Sequence, residues 1–159
     1  MAVAAWNISK AYNVGSLIRT AHAAAVEEVI LVGERDWNTE AARTAELYTK
    51  IVYLPGRDAF LEYIERQRWE LVAIELDERS VSVFDAVYPA RPCFVLGAEL
   101  GGIPTDLLDV AALIVQIPQW GLVPCLNVAV AGSIVLYDHL SKLYRRNVLD
   151  RPFLPGRTR

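Results

Sequence analysis

The chain has 159 residues, the length of one domain, with 53% apolar and 22% charged residues. That balance supports one continuous core and excludes a disordered chain, while apolar runs such as 29–32 and 134–137 are too short to span a bilayer. The formal charge of −3 argues against a broad nucleic-acid-binding surface.

The charge is unevenly spread. Lys142, Arg145, Arg146, Arg151, Arg157 and Arg159 fall in the last eighteen positions, opposed there only by Asp150. This basic end reads either as an RNA-facing patch or as a solvated helix end with a loose tail. The N-terminus lacks the basic stretch, long apolar segment and cleavage site of a secretory signal. Two cysteines (Cys93, Cys125) and two histidines (His22, His139) form no metal-ligand spacing. The expectation is a reduced, cytoplasmic protein with no membrane segment and no metal.

In chain order, 1–5 reads as a strand. Asn13 is placed to N-cap a helix whose apolar residues Val14, Leu17, Ile18, Ala21, Ala24 and Ala25 recur at helical spacing. A strand at 28–32 is closed by Gly33, a short helix is expected over 39–48, and a strand at 51–54 stops at Pro55-Gly56. Asp58 caps a helix reaching about 67; a strand at 69–76 follows, and 77–92 reads as loop with one turn. Then come a strand at 93–96, a short helix at 105–110, a strand at 113–117, and a long apolar helix from Asn127 to about 146 whose positive end suits its dipole. The alternation predicts a single α/β domain over 1–146, a mainly parallel sheet with helices on both faces, followed by a loosely ordered basic tail at 147–159.

Three segments, each after a predicted strand, break local rules, and ligands in such sheets bind beyond the C-terminal strand ends. In the first, Asn13 to Ala21, Gly15 sits in a first helical turn where it costs up to about 1 kcal/mol relative to alanine, and Arg19 lies four residues on, on the same face. That face presents a guanidinium to a phosphate or oxyanion, or simply to solvent. In the second, Gly97, Gly101 and Gly102 surround Glu99, which permits close backbone approach but lacks the dinucleotide-binding G-x-G-x-x-G order. The third runs from Ile117 through Gln119, Cys125 and Leu126 to Asn127. It is a loop with two prolines that is markedly apolar, and its main chain could serve an adenine edge.

Together these segments resemble the three motifs of the SpoU/TrmH class of SPOUT RNA methyltransferases: N-x-G-x-x-x-R-T/N, G-x-E-x-x-G-I/L/M and I-P-M-x-G-x-x-x-S-L-N-V-S-x-A. Here they stand as Asn13-Gly15-Arg19-Thr20, Gly97-Glu99-Gly102-Ile103 and Ile117-Pro118-Gly121-Leu126-Asn127-Val128-Ala131, in order and over nearly the whole chain. Cys125 replaces the usual serine, Gln119 a methionine and Ala129 a second serine.

The resemblance implies an α/β knot with a deep C-terminal trefoil, a homodimer with its site between chains, and S-adenosyl-L-methionine (AdoMet) as cofactor. It also implies methylation of a ribose 2′-hydroxyl in tRNA or rRNA. By the same resemblance, Arg19 is catalytic, supported by Asn13, Glu99 and Asn127. The cofactor is held around Leu96, Gly97, Gly101, Ile117, Gln119, Cys125 and Leu126. Lys10, Arg19, Arg35 and Arg43 are candidates for RNA phosphates. A free guanidinium is too basic to accept a proton, so Arg19 is read as orienting the hydroxyl and stabilising developing alkoxide. A base-methylating SPOUT enzyme and a catalytically silent knotted dimer that binds RNA or a protein are the competing readings. The latter is motivated by Cys125 and the acidic charge.

Overall fold

A computed structural model describes residues 1–123 and 125–149. Seven parallel strands form one sheet in the order β3-β2-β1-β6-β4-β7-β5. The strands are β1 (Ala2–Trp6), β2 (Glu28–Val32), β3 (Ile51–Leu54), β4 (Glu70–Ile74), β5 (Val81–Ser82), β6 (Pro92–Leu96) and β7 (Leu113–Gln116). The helices are α1 (Ala11–Ala23), α2 (Thr39–Ala42), α3 (Arg57–Gln67), α4 (Thr105–Asp109) and α5 (Val128–Arg145). The expected parallel sheet covered on both faces is present.

The adjacent central strands β1 and β6 are apolar throughout because both of their faces are buried. Along β1, Val3 and Ala5 join the core under α1 and α5 with Leu17, Ile18, Phe94, Leu96, Val135 and Leu136. Ala2, Ala4 and Trp6 join the opposite core with Phe60, Ile64, Cys93, Val95 and Leu107, contributed by α3, β6 and α4. The period of two in the strand thus feeds two separate cores.

Strand β1 is the turning point of the topology. The chain builds outward from it through β2 to β3 on one side, while β6 lies against it on the other. A crevice opens at such a point beyond the carboxyl ends of the diverging strands. The segments after β1 and β6 are the first and second motif segments.

Several expectations are corrected. Asn13 does not cap α1: Lys10 holds the N-cap position and Asn13 is the third helical residue, buried. Its amide finds partners in the fold that it would lack at a solvent-facing cap. The stretch 39–48 is not one helix. Arg43 (φ 53°) and Thr44 (φ 69°) adopt left-handed conformations that end α2 and start a 3-10 turn at Ala45–Leu47, letting Ala41, Ala42 and Ala45 all face the core. Asp58 lies in the first turn of α3, which starts at Arg57 after Gly56. Strand β5, within the stretch expected to be loop, pairs with β7 over two residues. The tail from residue 150 onward, with Asp150, Arg151, Arg157 and Arg159, lies outside the described residues.

Candidate active site

The three motif segments converge at the C-terminal ends of β1, β6, β4 and β7. Asn13 Nδ2 donates to Glu99 Oε1 at 2.7 Å, and Asn127 Nδ2 donates to Asn13 Oδ1 at 3.0 Å. Asn127 Oδ1 in turn accepts from the backbone N–H groups of Ala129 (2.9 Å) and Val130 (3.3 Å), capping α5 as its sequence position predicts. One side-chain relay therefore joins all three segments, and it fixes the Asn13 amide with its NH₂ toward the carboxylate.

The glycines of the second segment permit a tight fold-back. A Cβ on Gly97 would stand 2.6 Å from the Gly102 carbonyl oxygen and 2.6 Å from the Ile103 nitrogen, so nothing larger fits. Gly102 itself (φ 61°) bonds back from its N–H to the Ala98 carbonyl at 3.2 Å. The close approach at Gly15 is made by the protein's own chain. A Cβ there would meet Asn38 and Ala41 as α2 packs onto α1.

Beside the relay lies a cavity of about 440 Å³. Its apolar lining includes Ile74, Leu96, Val115, Ile117, Leu126 and Val128, and its polar edge carries Glu75, Gln116, Gln119, Asn13, Glu99 and Asn127. Of the expected cofactor residues, Leu96, Gly97, Ile117, Gln119, Cys125 and Leu126 all line it. Gly101 does not, and Gly102 takes that place. Lys10, expected on phosphate, lies at this cavity. Sequence reasoning missed Glu75, Leu76 and Gln116. The only signal available was their position at or just after the ends of β4 and β7, where ligands of parallel sheets bind.

Arg19 does not line this cavity. It projects, exposed, into a neighbouring groove of about 740 Å³ with Tyr12, Ser16, Thr20, Glu40, Arg43, Ser133 and Tyr137. The Thr20 and Ser133 hydroxyls meet at 3.0 Å across α1 and α5 and form part of its floor. A smaller hollow lined by Tyr12, Asn13, Ser16, Asn127 and Ser133 shares residues with both and joins them. The structure thus brings Arg19 and Arg43 together, whereas Arg35 stands apart, its guanidinium 5.9 Å from the Tyr53 ring. Among the described residues no group of three or more His, Cys, Asp or Glu could hold a metal, and no helix is long and apolar enough to cross a membrane.

Known proteins resemble this chain in sequence and fold. The chain is 32% identical over 136 residues to the tRNA (guanosine(18)-2′-O)-methyltransferase of Escherichia coli, a match covering 82% of this chain and 58% of that enzyme. It therefore spans little more than half of that relative's length. The crystal structure of an AdoMet-bound rRNA methyltransferase from Sinorhizobium meliloti superposes with a TM-score of 0.79 at 29% identity, covering 94% of this chain and 57% of that one. The TrmH/SpoU tRNA-modifying enzyme of Aquifex aeolicus shares the fold, with a TM-score of 0.84 at 24% identity over 97% of this chain and 80% of that one. The family model described as SpoU rRNA methylase matches residues 1–137, and the chain belongs to that family.

Proposed function

We propose that the protein transfers a methyl group from AdoMet to a ribose 2′-hydroxyl of a structured RNA, tRNA or rRNA, in the cytoplasm. The observation that carries this reading is the Glu99–Asn13–Asn127 relay, which ties the three motif segments together on the rim of a cavity of ligand size. Ribose methylation is the activity named for the Escherichia coli relative, and AdoMet is bound in the Sinorhizobium meliloti structure.

The cavity suits that cofactor. AdoMet carries a sulfonium and an ammonium against one carboxylate, and the cavity edge holds two carboxylates, Glu75 and Glu99, against one lysine, Lys10. Ile74, Leu96, Val115, Ile117 and Leu126 offer an apolar wall to the adenine, and Gly97, Ala98 and Gly102 of the fold-back line the cavity beside it. Bound there, AdoMet would supply an electrophilic methyl group to an in-line displacement.

The protein's part is alignment and charge. A ribose hydroxyl is a poor nucleophile until its proton leaves, and neither histidine lines the cavity or the groove to take it. Arg19 holds the hydroxyl and the adjoining phosphate and stabilises the alkoxide as it develops. Asn13 and Asn127, fixed by their mutual bond, hold the rim against which the ribose settles. Arg43 and Lys10 serve flanking phosphates.

Arg19 lies outside the cofactor cavity of its own chain, and this supports a homodimer whose site is completed between two copies. Tyr12, Val130 and Tyr137 stand exposed along α1 and α5, on the face such a copy would cover. The C-terminal trefoil knot belongs to the same reading. After β7 enters between β4 and β5, α5 crosses back over β6 to pack on α1, the kind of path that closes such a knot. The domain is taken to occupy 1–146 with a basic tail to 159.

The experiment is methyl transfer from radiolabelled AdoMet to total tRNA and rRNA from a strain lacking the gene. Wild-type protein labels one RNA class. Arg19→Ala loses at least 100-fold in turnover while binding AdoMet within about twofold of wild type. Absence of label with cofactor bound favours the silent dimer, and loss of cofactor binding in Arg19→Ala removes the assigned role.

A further inference from the structure

We infer that Glu75 is a cofactor-positioning residue, and that its carboxylate accepts hydrogen bonds from the vicinal ribose hydroxyls of AdoMet. This rests on the cofactor reading given above.

Glu75 directly follows β4, and its backbone N–H still bonds to the Val115 carbonyl on β7 at 3.1 Å. Its side chain is held by main chain from two loops. Oε1 accepts from the Leu76 N–H at 2.9 Å and Oε2 from the Ile103 N–H at 3.1 Å. The carboxylate passes over Gly102, where a Cβ would collide with it, so the left-handed glycine clears the space it occupies. No lysine or arginine pairs with Glu75 among the described residues.

A carboxylate offers about four acceptor positions, and the two amides use two of them. The remainder border the cavity, between Ile74 and Leu76 on its own strand end and Gly97, Gln116 and Ile117 across it. A fixed, unpaired carboxylate at the end of a parallel strand suits a cis-diol, which offers two hydroxyl donors on adjacent carbons. Dinucleotide-binding sheets use an acidic residue on a ribose in the same chemical way. Ribose is bonded directly to adenine, so its hydroxyls must lie within one ring of the wall that holds the base. Ile74, adjacent to Glu75, is part of that wall. Glu99, at the relay, stands on the side of the reacting groups.

The probes are S-adenosylhomocysteine and its 2′,3′-dideoxyribose counterpart, titrated calorimetrically into the wild type, Glu75→Gln and Glu75→Asp. Gln keeps an acceptor for the Ile103 N–H; Asp keeps the charge but shortens the reach. In the wild type, loss of the diol weakens binding tenfold or more, on the order expected for bonds to a charged acceptor. In Glu75→Gln the parent ligand binds about tenfold more weakly, and removing the diol costs at most about threefold more. An equal penalty for the missing diol in wild type and both variants overturns the assignment and leaves Glu75 as a clamp on the 97–103 loop. So does unchanged binding of the parent ligand to Glu75→Gln. Failure of the wild type to bind S-adenosylhomocysteine at all instead overturns the cofactor reading beneath it.

Discussion

Asn13 and Glu99 lie 86 residues apart in sequence and 2.7 Å apart in the fold, the Asn13 amide NH₂ donating to the carboxylate. The same asparagine accepts from Asn127 on its other side, so one buried side chain joins the segments after β1, β6 and β7. Replacing it by an isosteric carboxylate sets two like charges face to face. Asn13→Asp should lower unfolding stability by about 1–2 kcal/mol. Adding Glu99→Gln should recover most of that loss. Denaturant midpoints of the two single variants and the double variant measure the coupling, and strict additivity would mean the contact carries no energy.

Gly97→Ala tests the fold-back. The added methyl stands against the Gly102 carbonyl and the Ile103 N–H, both main chain, so the 97–103 loop must move. A stability loss of about 1–3 kcal/mol is expected, together with at least tenfold weaker AdoMet binding. Wild-type affinity in this variant would show that the cavity does not depend on the loop's shape.

The two cysteines should respond oppositely to a thiol reagent. Cys93 is fully buried in β6, and burial pushes its thiol well above the ordinary range. Cys125 is exposed and borders the cavity. One equivalent of a bulky maleimide should label Cys125 alone and abolish cofactor binding, while S-adenosylhomocysteine present beforehand slows the labelling. Mass analysis of the labelled peptide decides. Cys125→Ser should remove the sensitivity and keep cofactor affinity within about threefold, since the two side chains are nearly the same size.

Stability should fall on mild acidification, for two reasons of the same sign. His139 is buried against the rings of Tyr88 and Phe94. Burial, and then the nearby N-terminal ammonium, lower its pKa to about 4 against partial opposition from Asp138. The unfolded chain binds this proton below about 6.5 and the folded chain only near 4, so stability drops through that window as pH falls. Burial of Glu28 alone would raise its pKa. The bonds it accepts from Lys50 (2.6 Å), Tyr63 (2.8 Å) and Trp69 (2.8 Å) outweigh that and hold it below the ordinary value. Its contribution is therefore present above the unfolded value near 4.5 and lost below it. Melting temperatures from pH 8 to 4 should be flat at first and decline below about 6.5. His139→Gln should flatten the upper part of that decline and leave the lower part in place.

What the sequence made legible was local. Strands carried apolar runs, the α5 cap lay in Asn127 and the residues just after it, and the glycines marked the fold-back at 97–103. What it concealed was long-range or conformational. Asn13 looked like a helix cap because nothing nearby in sequence discloses its partners, 86 and 114 residues away. The helix expected over 39–48 breaks at Arg43 and Thr44, whose left-handed backbone no glycine announces. Glu75 falls inside the strand expected over 69–76, whereas β4 ends at Ile74, and only the approach of the Ile103 N–H sets it apart. The separation of Arg19 from the cofactor cavity depends on which side of α1 meets α5, which helical periodicity alone does not decide.

The most direct measurement is the position of the methyl group. RNA methylated by the purified protein, digested to nucleosides and weighed by mass spectrometry, should carry the added mass on ribose. The corresponding dinucleotide should resist alkali, because the 2′-oxygen can no longer attack its phosphate. A methyl group found on a base, or none on any RNA while AdoMet is bound, would contradict the account.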